Sequence, residues 1–368
     1  MRAWWTVVLS FGCGLPEPRW IGEHVQLAAD QGLAPCGDAV AHMDAYVERI
    51  AGELRVPIPT GDDRITFWWL HREGFAERTI CINDSACSLQ GEVYSTAMPV
   101  DHELVHALVR GYGTPSPFFL EGLAVAYEVT LPADPRDSVP IGVYLQETSI
   151  EEAIASRRNA WLPPEHYPLA GAFTAFLIER HGIDEVMRVY DELRLLDGVG
   201  RISRVFEGVF GESLAAATEA FEAEVTAAPR CPLRGFRLKR FECAAPEIEW
   251  DGEQLGVYET LACDVEGAVG PFAGEDLAVF RTLEVPADGV FEVTLIGDSS
   301  AGSAGRWNRA VLARCGGCDG YADLTISAED GAQRVELPAG RYAVQLLGPV
   351  RTATGVGLRV ERVADEYP

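Results

Sequence analysis

The stretch His102-Glu103-Leu104-Val105-His106 constrains this chain more than any other. Placed on a helix, His102 and His106 lie one turn apart on the same face, so both imidazoles reach a single metal ion. Glu103 points about 100° round the axis, where it reaches a water at that metal without ligating the metal itself. Leu104, Val105, Leu108 and Val109 fill the arc away from the histidines, as a helix packed against a core requires. The competing reading is a surface helix with two solvated histidines. A second segment, Phe119-Leu120-Glu121-Gly122-Leu123-Ala124, argues against it.

Ser116-Pro117 is a helix start, with serine as N-cap and proline at the first helical position. The reading puts Glu121 in the first turn of this second helix. Its carboxylate then completes a His, His, Glu set and leaves the fourth zinc position to water. Gly122 and Ala124 keep the helix slim enough to lie close to the first. Gly111-Tyr112-Gly113-Thr114-Pro115 between them is a tight reversal, with Gly and Pro supplying the turn.

A third segment, Tyr167-Pro168-Leu169-Ala170-Gly171-Ala172-Phe173, runs on to Leu177-Ile178-Glu179-Arg180-His181-Gly182. Taken together, the three segments resemble the gluzincins, zinc metallopeptidases of the peptidase MA type, over residues 25–225. The resemblance implies an α+β domain of a small sheet and a helical lobe. It also implies Zn2+ held by His102, His106 and Glu121, with Glu103 as general base, and a peptide or protein substrate. An edge strand beside the zinc pairs with the substrate backbone in that family. Gly91–Thr96 is the candidate here, and sheet edges do capture extended peptides. This chain departs from the pattern in having fourteen residues between His106 and Glu121, fewer than many gluzincins. A peptidase also needs a donor for the developing oxyanion, and Tyr167 or His166 is expected to supply it, with Tyr112 further from contention.

The remainder of the chain frames this domain. Residues 1–13 read as an export leader, with a minimal basic start at Arg2 and an apolar run from Ala3 to Phe11 too short to span a membrane. Cys13 after Gly12 suggests a lipoprotein leader with Cys13 lipidated. Ser10 stands where such leaders usually carry Leu, so plain signal cleavage and a buried native N-terminus are the alternatives. Leu15-Pro16-Glu17-Pro18 follows as a tether. Setting Cys13 aside leaves eight of the nine cysteines, an even number that fits disulfides in an exported chain. Local bridges Cys81–Cys87 and Cys231–Cys243 are plausible, and Cys315-x-x-Cys318 reads as a local bridge rather than a zinc or redox pair. The net charge of −26 argues against nucleic acid and against an anionic membrane held by charge. Membrane attachment is expected only through Cys13.

Between leader and motif, strands are expected at Val25–Leu27, Ile65–Leu70 and Arg78–Ile82. A helix capped by Asp38 carries Val40, Met43, Val47, Ile50 and Leu54. The second motif helix continues to about Val129. Residues 131–141 and 161–168 read as loops, and helices follow at Leu169–His181, Ile183–Leu196, Arg201–Phe210 and Leu214–Thr226. His181 reads as a helix-end residue, not a ligand. Beyond residue 230 the helical period gives way to short alternating runs at Val290–Ile296, Arg334–Leu337, Arg341–Leu347 and Val356–Val363, with Gly-containing turns between them. These are the marks of an antiparallel β-sandwich, and Leu337-Pro338-Ala339-Gly340-Arg341-Tyr342-Ala343-Val344 resembles the C-terminal sandwich domains that accompany many secreted bacterial peptidases. The expected organisation is a leader (1–13), a metallopeptidase-like domain (14–230) and a β-sandwich (231–368).

The function this implies is an exported zinc metallopeptidase that hydrolyses peptide bonds with a water activated by Glu103. The alternative is a cell-surface binding or adhesion protein on the same scaffold with little or no activity. Glu103 separates the two, because a binding scaffold has no need of it. A purely structural zinc site is disfavoured, since such sites are usually closed by four protein ligands.

Overall fold

A computed structural model describes residues 14–79, 81, 85–128, 139–156, 161–228, 241–272, 276–297, 308–316 and 323–363. The leader with Cys13, Cys231, Cys318 and most of the 131–141 loop lie outside them. The chain is α+β.

The N-terminal part starts with β1 (Trp20–Ile21), β2 (Val25–Ala29), α1 (Ala39–Leu54), β3 (Ile65–Trp69), α2 (Phe75–Arg78), β4 (Ala86–Leu89) and β5 (Glu92–Ser95). The sheet order is β1-β2-β3-β5-β4, with β2, β3 and β5 parallel and the two outer strands antiparallel. β2 and β3 are buried on both faces, which is why they read as near-continuous apolar runs. α1 lays Met43, Val47, Ile50 and Leu54 on this sheet, the 3-4 spacing seen in the sequence.

Two expectations fail in this region. Gly91–Thr96 is not an edge: β5 lies between β3 and β4, and β4 takes the edge. Gln90 (φ 53°) and Gly91 (φ 86°) form a tight turn that folds β4 back onto β5. The strand expected over 78–82 is also missing among the described residues. Phe75–Arg78 is a single helical turn that buries Phe75 near Leu70 and Tyr94. The Cys81–Cys87 disulfide does form, and it ties this segment to β4.

The helical lobe comprises α3 (Asp101–Leu108), α4 (Pro117–Tyr127), α5 (Ile141–Glu147), α6 (Ile150–Ala155), α7 (Tyr167–His181), α8 (Ile183–Glu192), α9 (Val199–Phe210) and α10 (Leu214–Ala227). α5 and α6 occupy a stretch where no helix was expected. A capping box between Ser149 and Glu152 starts α6. Phe118, Phe173, Phe176, Phe206 and Phe221 form the aromatic centre of the lobe. α4 and α7 approach on glycines. A Cβ at Gly122 would come 2.7 Å from the carbonyl oxygen of Ala170, and one at Gly171 would come 2.8 Å from Cβ of Val125. Gly122 therefore serves contact with α7, not with the first motif helix as the sequence suggested.

The C-terminal part is two five-stranded antiparallel sheets. Its strands are β6 (Trp250–Asp251), β7 (Gln254–Leu261), β8 (Val269–Phe272), β9 (Asp276–Val285), β10 (Gly289–Gly297), β11 (Arg309–Arg314), β12 (Leu324–Ser327), β13 (Gln333–Leu337), β14 (Gly340–Pro349) and β15 (Thr354–Arg362). The sheet orders are β13-β10-β15-β7-β6 and β12-β11-β14-β9-β8. Alternate residues such as Phe291, Val293, Leu358 and Val360 meet Leu312, Tyr342, Val344 and Leu346 in one core.

The two parts are joined. Cys36 bridges Cys263, and the amide of Gly37 donates to the carbonyl of Cys263 at 2.8 Å. Asp38 stands at the α1 N-cap, but its carboxylate accepts from the amide of Gly267 at 2.5 Å and not from α1. Cys243 pairs with Cys315, which overturns the local bridges expected for Cys231–Cys243 and Cys315–Cys318. Among the described residues no helix is long and apolar enough to cross a membrane. Three disulfides among the described residues are typical of proteins outside the cytosol.

His42, on α1, is caught at this junction between Phe280 (ring centroids 5.3 Å, stacked) and Phe241 (5.2 Å, edge-on). Burial pushes its pKa down to about 4 from 6.5. The folded chain therefore keeps His42 neutral where the unfolded chain would protonate it. Its contribution is fully present above pH 6.5 and is lost as pH falls towards 4. Denaturant titrations of wild type and His42→Gln at pH 7 and pH 4.5 are expected to show a smaller acid loss in the variant; equal losses would remove His42 as the cause.

Candidate metal centre

α3 opens with Asp101 and Glu103 in its first turn, carboxylates that suit the positive end of a helix. Leu104, Val105 and Leu108 turn into the core, and this fixes the opposite side of α3 as the one that carries the histidines. His102 and His106 keep 13% and 14% of their side-chain surface. α4 begins at Pro117 behind Ser116, as its sequence indicated, although the Ser116 hydroxyl caps nothing. Glu121 falls in the second turn of α4, one turn later than expected, and is buried.

The three side chains converge. His102 Nε2 and His106 Nε2 are 3.1 Å apart, and Glu121 Oε2 lies 3.1 Å from the first and 3.4 Å from the second. A tetrahedral ion with bonds of about 2.0–2.1 Å holds its ligand atoms about 3.3 Å apart. The observed triangle has that size, so these residues fit one small cation without rearrangement. They are the His/Cys/Asp/Glu group among the described residues with this capacity.

The electrostatics follow from burial. For Glu121, burial raises the carboxyl pKa, but hydrogen bonds to both imidazoles outweigh it and hold the group well below the usual range. For His102, burial lowers the pKa, and Glu121 and Glu128 more than reverse it. Glu103 is shifted up, first by burial and then by Glu121 and Glu128, against the pull of the two imidazoles. Glu103 is thus a better proton acceptor than an ordinary carboxylate.

Tyr167, the first residue of α7, lies at the centre. Its ring stacks on His102 with centroids 5.9 Å apart and planes 4° apart, and its hydroxyl donates a hydrogen bond to Glu121. Burial and the neighbouring carboxylates push its pKa up, so the hydroxyl keeps its proton and stays a donor. His166 is placed differently. It closes a 3-10 turn before α7, and its charge acts on Glu152 of α6. Among the described residues it is not part of the His102, His106, Glu121 group. Tyr112 borders a surface groove with Leu54, Arg55 and Met187. His181 pairs with Glu212 at 2.8 Å, at the helix end.

Two residues were not singled out from sequence. Glu128, the C-cap of α4, lies 3.5 Å from His102 Nδ1 and so holds the ring from the side opposite Glu121. Its spacing of seven residues from Glu121 puts both on one face of α4, a signal the sequence carried. Tyr190 of α8 is buried close enough for the charge of Glu121 to raise its pKa. Nothing in the local sequence marks it. The edge strand β4 runs beside α3, and Arg110 just beyond α3 donates to the Gln90 carbonyl at 3.2 Å, which pins the hairpin there.

No family model matches the chain, and no curated protein matches it. Among solved structures, the isomalto-dextranase of Arthrobacter globiformis T6, complexed with panose, is 15% identical and covers 31% of this chain at a TM-score of 0.16. A family GH115 4-O-methyl-alpha-glucuronidase with specificity for decorated arabinogalactans is 12% identical and covers 64% of it at a TM-score of 0.19. The chain spans 22% of the first enzyme and 34% of the second. At such scores neither likeness assigns a fold or an activity.

Proposed function

We propose that this chain is an exported zinc-dependent hydrolase that cleaves peptide bonds, a member of the gluzincin group. The observation that carries the reading is the triangle of His102 Nε2, His106 Nε2 and Glu121 Oε2, with sides of 3.1–3.4 Å. These three residues would hold the ion. When bound, zinc supplies Lewis-acid polarisation of the scissile carbonyl and lowers the pKa of water.

The chain's own residues do the rest. Glu103 takes the proton of the attacking water at its carboxylate and passes it to the leaving amine. Its raised basicity serves the first transfer and its low exposure keeps the proton from solvent. Tyr167 offers its hydroxyl proton to the carbonyl oxygen as negative charge grows there. Glu128 keeps the His102 ring in one orientation. β4, an edge strand with half-exposed residues, offers backbone groups to an extended substrate. Export accords with the disulfides, and Cys13 is the proposed point of lipid attachment.

Metal analysis combined with a proteolysis assay tests the reading. Purified protein is expected to carry about one zinc per chain and to cleave denatured casein. A zinc chelator should abolish cleavage, and added zinc should restore it. Zinc bound without cleavage would sink the catalytic half of the proposal; absence of zinc affinity would sink all of it.

A further inference from the structure

Tyr258 of β7 leaves 60% of its surface exposed, high for an aromatic ring on a sheet. Its ring lies across β15. A Cβ on Gly357 would come 2.9 Å from ring carbon Cδ2, and one on Gly355 would collide with the hydroxyl. The ring therefore rests flat on bare backbone, one face on the strand and the other turned outward. Gly357 stands opposite Tyr258 on one side and Ile296 of β10 on the other. Ile296 is 42% exposed. With strands about 4.8 Å apart, the Cα atoms of Tyr258 and Ile296 stand roughly 10 Å from each other, and the ring, lying over the glycines of β15, reaches across part of that gap.

The surroundings narrow the partner. The next lines along the same face carry Arg359, then Glu361, Glu292 and Arg334 side by side. Arg359 pairs with Glu361 at 3.4 Å and Arg334 with Glu292 at 4.0 Å. These charges cancel, so the patch is neutral on a chain of net charge −26. It lacks the excess cations that nucleic acid or an anionic polymer requires. Two apolar side chains are also far too few for a protein interface of about 800 Å² per partner. A flat ring beside charged hydrogen-bonding groups matches a ligand with one apolar face and a rim of hydroxyls.

We propose that this face of the sandwich, centred on Tyr258, binds a neutral polysaccharide. The C–H face of a pyranose stacks on the ring, a neighbouring unit covers Ile296, and the hydroxyls meet Arg359 and Glu361. The site is separate from the candidate metal centre and does not depend on its activity.

The competing account is that the ring only shields a cross-strand glycine, a known device for stabilising sheets. Native electrophoresis of the full chain through gels containing dextran, laminarin, arabinoxylan or galactomannan separates the two. At least one polymer is expected to retard the wild type. Tyr258→Leu, which still covers the glycines but has no ring face, should lose retardation at least tenfold, while Tyr258→Trp keeps it. Arg359→Ala, at an exposed side chain, should weaken retardation with an unchanged melting temperature, and serves if Tyr258→Leu does not fold. No retardation of the wild type by any of the four, or equal retardation of wild type and both weakened variants, overturns the proposal.

Discussion

Glu103→Gln is expected to lower peptide hydrolysis by about 10²–10⁴-fold and to leave the metal bound. Glutamine preserves the shape of the side chain and its place in a buried site, but it cannot accept a proton from water. The ligand triangle does not include Glu103, so zinc content should match the wild type. The contrast with Glu121→Ala, which removes a ligand and should lose both metal and rate, separates base from ligand. The pH profile adds a second check. The acid limb of the wild-type rate profile reports protonation of the general base, so it should be absent from whatever activity Glu103→Gln retains. Full activity in Glu103→Gln would refute the assignment.

The second large effect concerns packing. Gly122→Ala is expected to cost about 1–3 kcal/mol and to weaken zinc binding. The added methyl would stand 2.7 Å from the Ala170 carbonyl oxygen, a backbone atom that cannot swing aside. α4 must then move off α7, taking the adjacent Glu121 out of the triangle. Gly171→Ala wedges the same seam from the α7 side, against Val125. Gly52 on α1 has open space around it, so Gly52→Ala is expected to stabilise by up to about 1 kcal/mol through helix propensity. Denaturant midpoints and a zinc competition titration measure these effects. Unchanged stability and zinc affinity in Gly122→Ala would mean that the helix contact tolerates relaxation.

The candidate metal centre was legible because its signals are local. Two histidines one turn apart and a glutamate behind a Ser-Pro helix start each need only a few residues to read, and the fold brings all three together. Tyr167 also lies against this group, stacked on His102, and its part as oxyanion donor is a proposal. The misread features depend on distant partners. β5 alternates as an edge strand would, and only the pairing of the short β4 moves it inside. Cys243 finds Cys315 across 72 residues because the strands are laid down in that order, so a nearby Cys231 was a poor guide. Asp38 sits where a cap belongs, but Gly267, from the other end of the chain, claims its carboxylate. Glu128 shows the opposite case, a residue readable by helical spacing once Glu121 is accepted as a ligand.

The Cys36–Cys263 bond closes a span of 227 residues that contains every element of the candidate metal centre. A protease that nicks this molecule anywhere inside the span leaves one covalent particle, with its fragments still tied together. Damage of that kind does not release the sandwich from the helical lobe unless a reductant follows.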